Sequence, residues 1–151
     1  MSKGTVLPMT QERRILVSTL KYSRQRESIK QYLAMTKEHP TADCVYLHMK
    51  EEFPNISLGT VYRNLKLLTD IGEAVKLTPP DSADRFDGNT RPHDHFYCTR
   101  CKRILDLELD MTATMPLHQA ASASFDGIIE SSNTFFFGLC GKCVKEAPEK
   151  L

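Results

Sequence analysis

Residues Ser57 to Leu77 read SLGTVYRNLKLLTDIGEAVKL, a helix running directly into a strand. Ser57 is a capping residue set just before an apolar period, and Leu58, Val61, Leu65 and Leu68 recur at the spacing that gathers side chains on one helical face. Gly72 supplies the residue type that closes helices in the left-handed conformation. From Gly72 to Leu77 the chain reads as a strand, TPPDSAD (78–84) as a turn, and Arg85-Phe86-Asp87 as the returning strand. Helices followed by a small hairpin predict a winged helix-turn-helix, in which one helix enters the major groove and the wing lies near the backbone.

Three more helices precede this run. Thr10 is placed to cap the first, with Ile15, Leu16, Thr19 and Leu20 on one face. Ser23 opens the second, in which Ile29, Tyr32, Leu33 and Thr36 keep helical spacing until His39-Pro40 ends it. Thr41 caps the third, which turns Ala42, Val45 and Met49 inward and stops before Pro54. On the fourth, the apolar face leaves Thr60, Tyr62, Arg63, Asn64 and Lys66 directed elsewhere. Arg can bond guanine edges, Tyr and Thr can reach phosphates or thymine methyls, and Lys neutralises phosphate. Standing alone, such a face would be ordinary solvated surface; the hairpin after it favours a double-stranded DNA partner.

The chain has 151 residues, 40% hydrophobic and 26% charged, as in a soluble globular protein of one compact or two small domains. Residues 1–85 carry 13 Lys/Arg against 10 Asp/Glu, net +3, and residues 86–151 carry 7 against 9, net −2, which places an anionic partner on the first half. No apolar run has the length of a membrane span, and MSKGTVLPMTQERR lacks the apolar centre of a signal peptide, so the expected location is the cytoplasm, with no membrane partner. Structural disulfides are rare there, so five cysteines call for another use. Cys44, in a helical stretch, is expected to be a buried small thiol.

The domain reading is α+β: a winged-helix DNA-binding domain over 1–87, a hinge over Gly88 to Pro92 (GNTRP), and a small α/β dimerisation and metal-binding domain over 93–151. Phe96-Tyr97 and Arg103 to Leu109 read as strands, MTATMPLHQAASAS (111–124) as a helix despite Pro116, and Gly127-Ile128-Ile129 through Phe135-Phe136-Phe137 as a last strand. Roughly sixty residues make a marginal core, so this half needs a metal, a partner subunit or both. Cys98/Cys101 and Cys140/Cys143 form two CxxC pairs, whose four thiolates suit a closed tetrahedral structural zinc site better than a dithiol redox pair or a rubredoxin-type iron centre. His93 and His95 alternate along an extended segment and point to one side. With Asp87 and Asp106 near in sequence or on the adjacent strand, they suit manganese or ferrous iron. His48 and His118 stand without ligand-like company.

HPTADCVYLHMKEEFPNISLGTVYRNLKLLTDIGEAVKL (39–77), DRFDG (84–88) and HDHFYCTRCKRILDLE (93–108) resemble the ferric uptake regulator family, and more narrowly its peroxide-responsive repressor branch. The likeness runs from about Ser23, where SRQR is similar to the family's TPQR, through Cys143. It implies a homodimeric, metal-dependent repressor bound to operator DNA, with structural zinc on Cys98, Cys101, Cys140 and Cys143. It also implies a regulatory Fe2+ or Mn2+ on His39, Asp87, His93, His95 and Asp106. His39 enters through the resemblance alone, since by itself it is a helix-ending residue before proline. Members with a further metal site use a glutamate and a histidine that would fall near Ala113 and Ser132 of this chain, neither of which can ligate comparably, so one regulatory site is expected. Iron-sensing members tend to carry glutamate at the position of Asp106 and peroxide sensors aspartate.

Metal ligands drawn from both halves could set the angle between them, and in a two-fold dimer the spacing of two recognition helices. In the peroxide branch, ferrous iron and hydrogen peroxide oxidise a ligand histidine, which corresponds to His39 or His93 here, and repression ends. Two readings compete: an iron- or zinc-responsive uptake regulator of the same family, and a metallohydrolase built on HxH plus aspartates. The hydrolase lacks an evident general base beside an open metal position and leaves the recognition helix without a role.

Overall fold

The computed structural model describes residues 11–129, 132 and 134–146, apart from the side chains of Met111 and Ala113. The fold is α+β, and the chain divides into two units, Met1–Arg91 and Pro92–Leu151.

Unit 1 contains α1 (Gln11–Thr19), α2 (Arg24–Met35), α3 (Ala42–Glu52), α4 (Leu58–Asp70) and an antiparallel hairpin of β1 (Val75–Leu77) and β2 (Arg85–Asp87). The order helix, helix, helix, wing is that of a winged helix-turn-helix. Three of the helices start on side-chain caps. Ser23 accepts from the Arg26 N–H at 3.3 Å, Thr41 from Cys44 at 3.3 Å and Ser57 from Thr60 at 3.1 Å, each contributing about 1 kcal/mol. Thr10, the expected cap of α1, lies outside the described residues.

The core of unit 1 joins Ile29 and Leu33 of α2, Ala42, Val45 and Met49 of α3, and Val61, Leu65 and Leu68 of α4, closed over by Phe86 of the wing. Leu58 is half-buried at the rim of that face. Gly72 has φ +78°, the left-handed conformation that stops α4, and the Glu73 N–H donates to the Leu68 carbonyl at 2.8 Å as the chain turns into β1. Gly88 is required for a different reason: a Cβ there would stand 2.4 Å from the Leu33 carbonyl carbon, so the strand end is pressed against the last turn of α2.

The helical expectations for this unit change at α1 and at the end of α2, and β1 begins at Val75, not at Gly72. α1 buries none of its residues, Ile15 being 57% exposed, and only Leu20, beyond its end, packs on the core. α2 ends at Met35, not at His39-Pro40, because Thr36 is extended and its Oγ1 accepts the Glu38 N–H at 3.2 Å, a local bond that competes with the next helical turn.

Unit 2 holds β3 (Asp94–Cys98), β4 (Ile104–Leu107), α5 (Met111–Ser124), β5 (Phe135–Gly138) and α6 (Gly141–Glu146). The sheet order is β4-β3-β5, antiparallel on the β4 side with His95 opposite Asp106, and parallel on the β5 side with Cys98 opposite Gly138. Asp110 caps α5 by accepting from the Thr112 N–H at 3.0 Å. The expected last strand is shorter than read: Gly127 to Ile129 lie outside the described sheet and Ile128 is 86% exposed. β-branched residues favour a strand only where a neighbour packs their pleated surface.

Buried Cys98, Cys140 and Cys143, with Phe96 and Leu139 against them, make a cluster of this unit's interior. Meanwhile Phe136, Phe137, Leu117 and Phe125 remain exposed. Tyr97 and Ile104 are buried as well, yet a unit of roughly sixty residues makes a marginal core by apolar burial alone. Among the described residues no helix is long and apolar enough to cross a membrane.

Candidate metal centres and nucleic-acid interface

β3 delivers Cys98, the turn after it Cys101, the short link between β5 and α6 Cys140, and α6 itself Cys143. The ligand atoms of the four lie within 4.8 Å of one another, and all four thiols are free of disulfides. Cys101 Sγ and Cys140 Sγ are 3.7 Å apart. Tetrahedral zinc with Zn–S bonds of about 2.3 Å sets its sulfurs about 3.8 Å apart, so this pair stands at the edge length of a zinc tetrahedron. A disulfide would require about 2.05 Å.

Proton chemistry points the same way. Burial pushes the Cys98 thiol up, but backbone N–H groups of Cys101, Cys140 and Arg100 and the Cys101 side chain outweigh it and bring Cys98 down to about 6. The Cys143 backbone N–H, opposed by burial and aided by Arg103, lowers Cys140. Burial first, and then the neighbouring cysteines, push Cys143 up to about 12. Four sulfurs so close cannot all ionise unaided, and a divalent cation allows it. The donor set therefore fits zinc.

The second group in unit 2 is oxygen and nitrogen. His93 Nε2 is 3.1 Å and His95 Nε2 3.6 Å from the same Asp106 Oδ1, and the two imidazole centroids are 4.4 Å apart. The register that sets His95 opposite Asp106 produces this convergence. Two imidazoles and a carboxylate sharing one focus suit a first-row divalent metal.

Unit 1 has its own pair. His39 Nε2 lies 3.5 Å from Asp87 Oδ2, both side chains being buried, while Asp87 Oδ1 accepts the Asn89 N–H at 2.8 Å. His39 has φ +47°, a left-handed backbone uncommon for a residue with a Cβ. It is held there from β2, where Arg85 Nη1 donates to the His39 carbonyl at 3.4 Å and the Phe86 N–H to the Pro40 carbonyl at 3.0 Å. Among the described residues the buried polar or charged side chains are His39, Asp87 and His95. Burial of such groups is costly unless they are paired or bind a cation.

On α4, Tyr62 and Arg63 are exposed, and Arg63 Nη2 donates to Thr60 Oγ1 at 3.1 Å. Lys66 is exposed and paired with Asp70 at 2.6 Å. Asn64 is half-buried and donates back to the Thr60 carbonyl at 3.1 Å, which turns it along the helix.

The model of the ferric uptake regulator family matches residues 17–127. The chain belongs to that family. The peroxide-responsive repressor PerR of Staphylococcus epidermidis is 38% identical over 125 residues, 81% of this chain and 80% of the relative. PerR of Staphylococcus aureus is 35% identical over 124 residues, 82% of each chain. Among solved structures, the Campylobacter jejuni peroxide stress regulator superposes with a TM-score of 0.73 at 27% identity, covering 89% of this chain and 100% of that one. The Helicobacter pylori ferric uptake regulator Fur, described with three functional metal binding sites, has a TM-score of 0.73 at 22% identity over 92% of this chain and 91% of its own, a likeness of fold.

Cys44 is exposed, contrary to the buried thiol expected, and accepts from Thr41 Oγ1 at 3.3 Å. It falls off the Ala42/Val45/Met49 face, so helical period alone would have placed it outside. His48 stacks on Tyr32 with centroids 3.9 Å apart, and His118 Nε2 is 3.0 Å from Ser132 Oγ; among the described residues neither belongs to a metal-type cluster. Arg103 was missed as part of the cysteine site, since nothing in its spacing shows that it reaches two sulfurs.

Proposed function

We propose that the protein is a metal-dependent DNA-binding transcriptional repressor that responds to peroxide, working as a homodimer and not as an enzyme. The observation that carries this reading is the coincidence of two sets. The buried polar side chains His39, Asp87 and His95 all belong to the regulatory ligand set that the family resemblance implies.

In this reading Cys98, Cys101, Cys140 and Cys143 hold structural zinc, and the regulatory metal is held by His39, Asp87, His93, His95 and Asp106. The segment 88–92 serves as the hinge between residues 1–87 and 93–151. The two groups differ in chemistry as their roles require: thiolates retain zinc, whereas imidazoles and carboxylates accept an exchangeable ferrous or manganous ion. Ligands drawn from both halves favour one domain arrangement, and differential stability of that arrangement couples metal to operator affinity. Thr60, Tyr62, Arg63, Asn64 and Lys66 form the DNA-facing side of α4. The exposed phenylalanines of β5 supply apolar surface for the dimer.

Ferrous iron, when bound, supplies electrons to hydrogen peroxide beside an imidazole. His39 and His93 are the side chains whose gain of an oxygen would weaken their hold on the metal and let the arrangement relax. The reading is tested by titrating operator binding with manganese. His39→Ala and His95→Ala should each abolish the metal-dependent gain in affinity while one zinc per chain remains. Metal-dependent binding unchanged in both variants would remove these residues from the site.

A further inference from the structure

Arg103 makes the four thiols unequal. Its Nε donates to Cys101 Sγ at 3.5 Å and its Nη2 to Cys140 Sγ at 3.4 Å, so one guanidinium spans a sulfur from each CxxC pair. Cys98 Sγ instead accepts the Cys140 backbone N–H at 3.4 Å. The backbone holds Arg103 in place: Lys102 turns at φ +62°, its N–H donates to the Cys98 carbonyl at 2.8 Å, and the Cys98 N–H donates to the Arg103 carbonyl at 2.9 Å.

The two sulfurs under the guanidinium are 3.7 Å apart, and Cys101 is the exposed member of the four. Peroxide would therefore meet Cys101 first. Its sulfur would attack one peroxide oxygen, forming S–O as O–O breaks and hydroxide leaves. Cys140 would then attack the resulting sulfenic sulfur, forming S–S as a second hydroxide leaves. Two thiolates give up two electrons and one peroxide accepts them. Zinc, left with two ligands, would depart.

Each step uses a sulfur lone pair. A donated N–H withdraws density from that pair, and a positive charge offsets part of the net negative charge of a zinc ion bearing four thiolates. We propose that Arg103 is a positioning residue that bridges Cys101 and Cys140 and keeps the zinc thiolates unreactive toward peroxide. The proposal rests on the zinc assignment above. On this reading a peroxide-responsive repressor would keep its structural metal in the presence of its own signal.

The test uses the full chain, zinc-loaded, as wild type, Arg103→Gln and Arg103→Lys. Zinc release in excess hydrogen peroxide is followed with a chromogenic chelator, and the first oxidised cysteines are mapped by mass spectrometry. Arg103→Gln should release zinc about ten-fold faster, the size of losing one charge-assisted hydrogen bond from a barrier. Arg103→Lys should fall between, and the first disulfide should join Cys101 to Cys140. Release within two-fold of wild type overturns the proposal. So does first oxidation at Cys98 or Cys143, the mark of general loosening, and so does Arg103→Gln that purifies without zinc, because Arg103 would then build the site instead of quieting it. A wild type that itself purifies without zinc sinks the zinc assignment, a result distinct from equal rates in zinc-loaded proteins.

Discussion

Arg63→Ala separates DNA recognition from folding. Arg63 is exposed on α4, and its hydrogen bond to Thr60 Oγ1 at 3.1 Å lies at the surface. Its loss should therefore change stability by no more than about 0.5 kcal/mol. The helix remains seated by Val61, Leu65 and Leu68, all fully buried. If Arg63 reads a base edge, each subunit loses about 1–3 kcal/mol, and a two-fold dimer about 2–6 kcal/mol. At 1.4 kcal/mol per ten-fold, operator affinity should fall by roughly 30-fold to about 10⁴-fold. Fluorescence anisotropy with manganese-loaded protein would compare an operator duplex with a scrambled one across salt concentrations. A phosphate contact would weaken both duplexes alike and reduce the salt slope, whereas a base contact would weaken the operator selectively. Less than a three-fold loss on the operator, with melting temperature and zinc content unchanged, would show that the exposed side of α4 is not the DNA face.

Cys98→Ser and Cys140→Ser should each lose zinc by elemental analysis and lose the folded dimer by size exclusion and circular dichroism, because a structural metal contributes folding free energy directly. Gly88→Ala should destabilise by about 1–3 kcal/mol or more in thermal unfolding, since its Cβ would meet Leu33 backbone at 2.4 Å and nothing flexible can yield. Gly59→Ala, by contrast, has its nearest atom at 3.5 Å on the Arg63 side chain and should stabilise α4 by about 0.5–1 kcal/mol. Asp106→Glu should retain metal-dependent operator binding yet respond less to peroxide, because the longer carboxylate moves the oxygen on which His93 and His95 converge.

Local chemistry made much of the fold legible. Ser23, Thr41 and Ser57 cap their helices because each hydroxyl reaches a backbone N–H three residues on, a relation contained within four residues of sequence. The cysteine cluster was legible for a similar reason, as two CxxC turns each preorganise two sulfurs. What escaped depends on partners far along the chain or on competing local bonds. The Thr36 hydroxyl ends α2 early by holding Glu38, although no proline interrupts the chain before Pro40. Ile128 and Ile129 have strand-forming side chains but lie outside the described sheet. His39 gave no spacing signal because it faces Asp87 only after β2 returns to bond the His39-Pro40 backbone. Arg103 likewise reaches Cys140, 37 positions away, only once β5 lies beside β3.

One comparison decides whether oxygen and nitrogen ligands turn peroxide into loss of DNA binding while the thiolates stay out of the reaction. The same protein is bound to its operator with manganese or with ferrous iron, treated with hydrogen peroxide, and followed by anisotropy and peptide mass spectrometry. The manganese form should keep the operator and the ferrous form should release it. One oxygen should be added to the peptide containing His39 or His93, with Cys98, Cys101, Cys140 and Cys143 still reduced. Oxidation appearing first at those cysteines with zinc release, or a ferrous form that stays on the operator unoxidised, would contradict this mechanism.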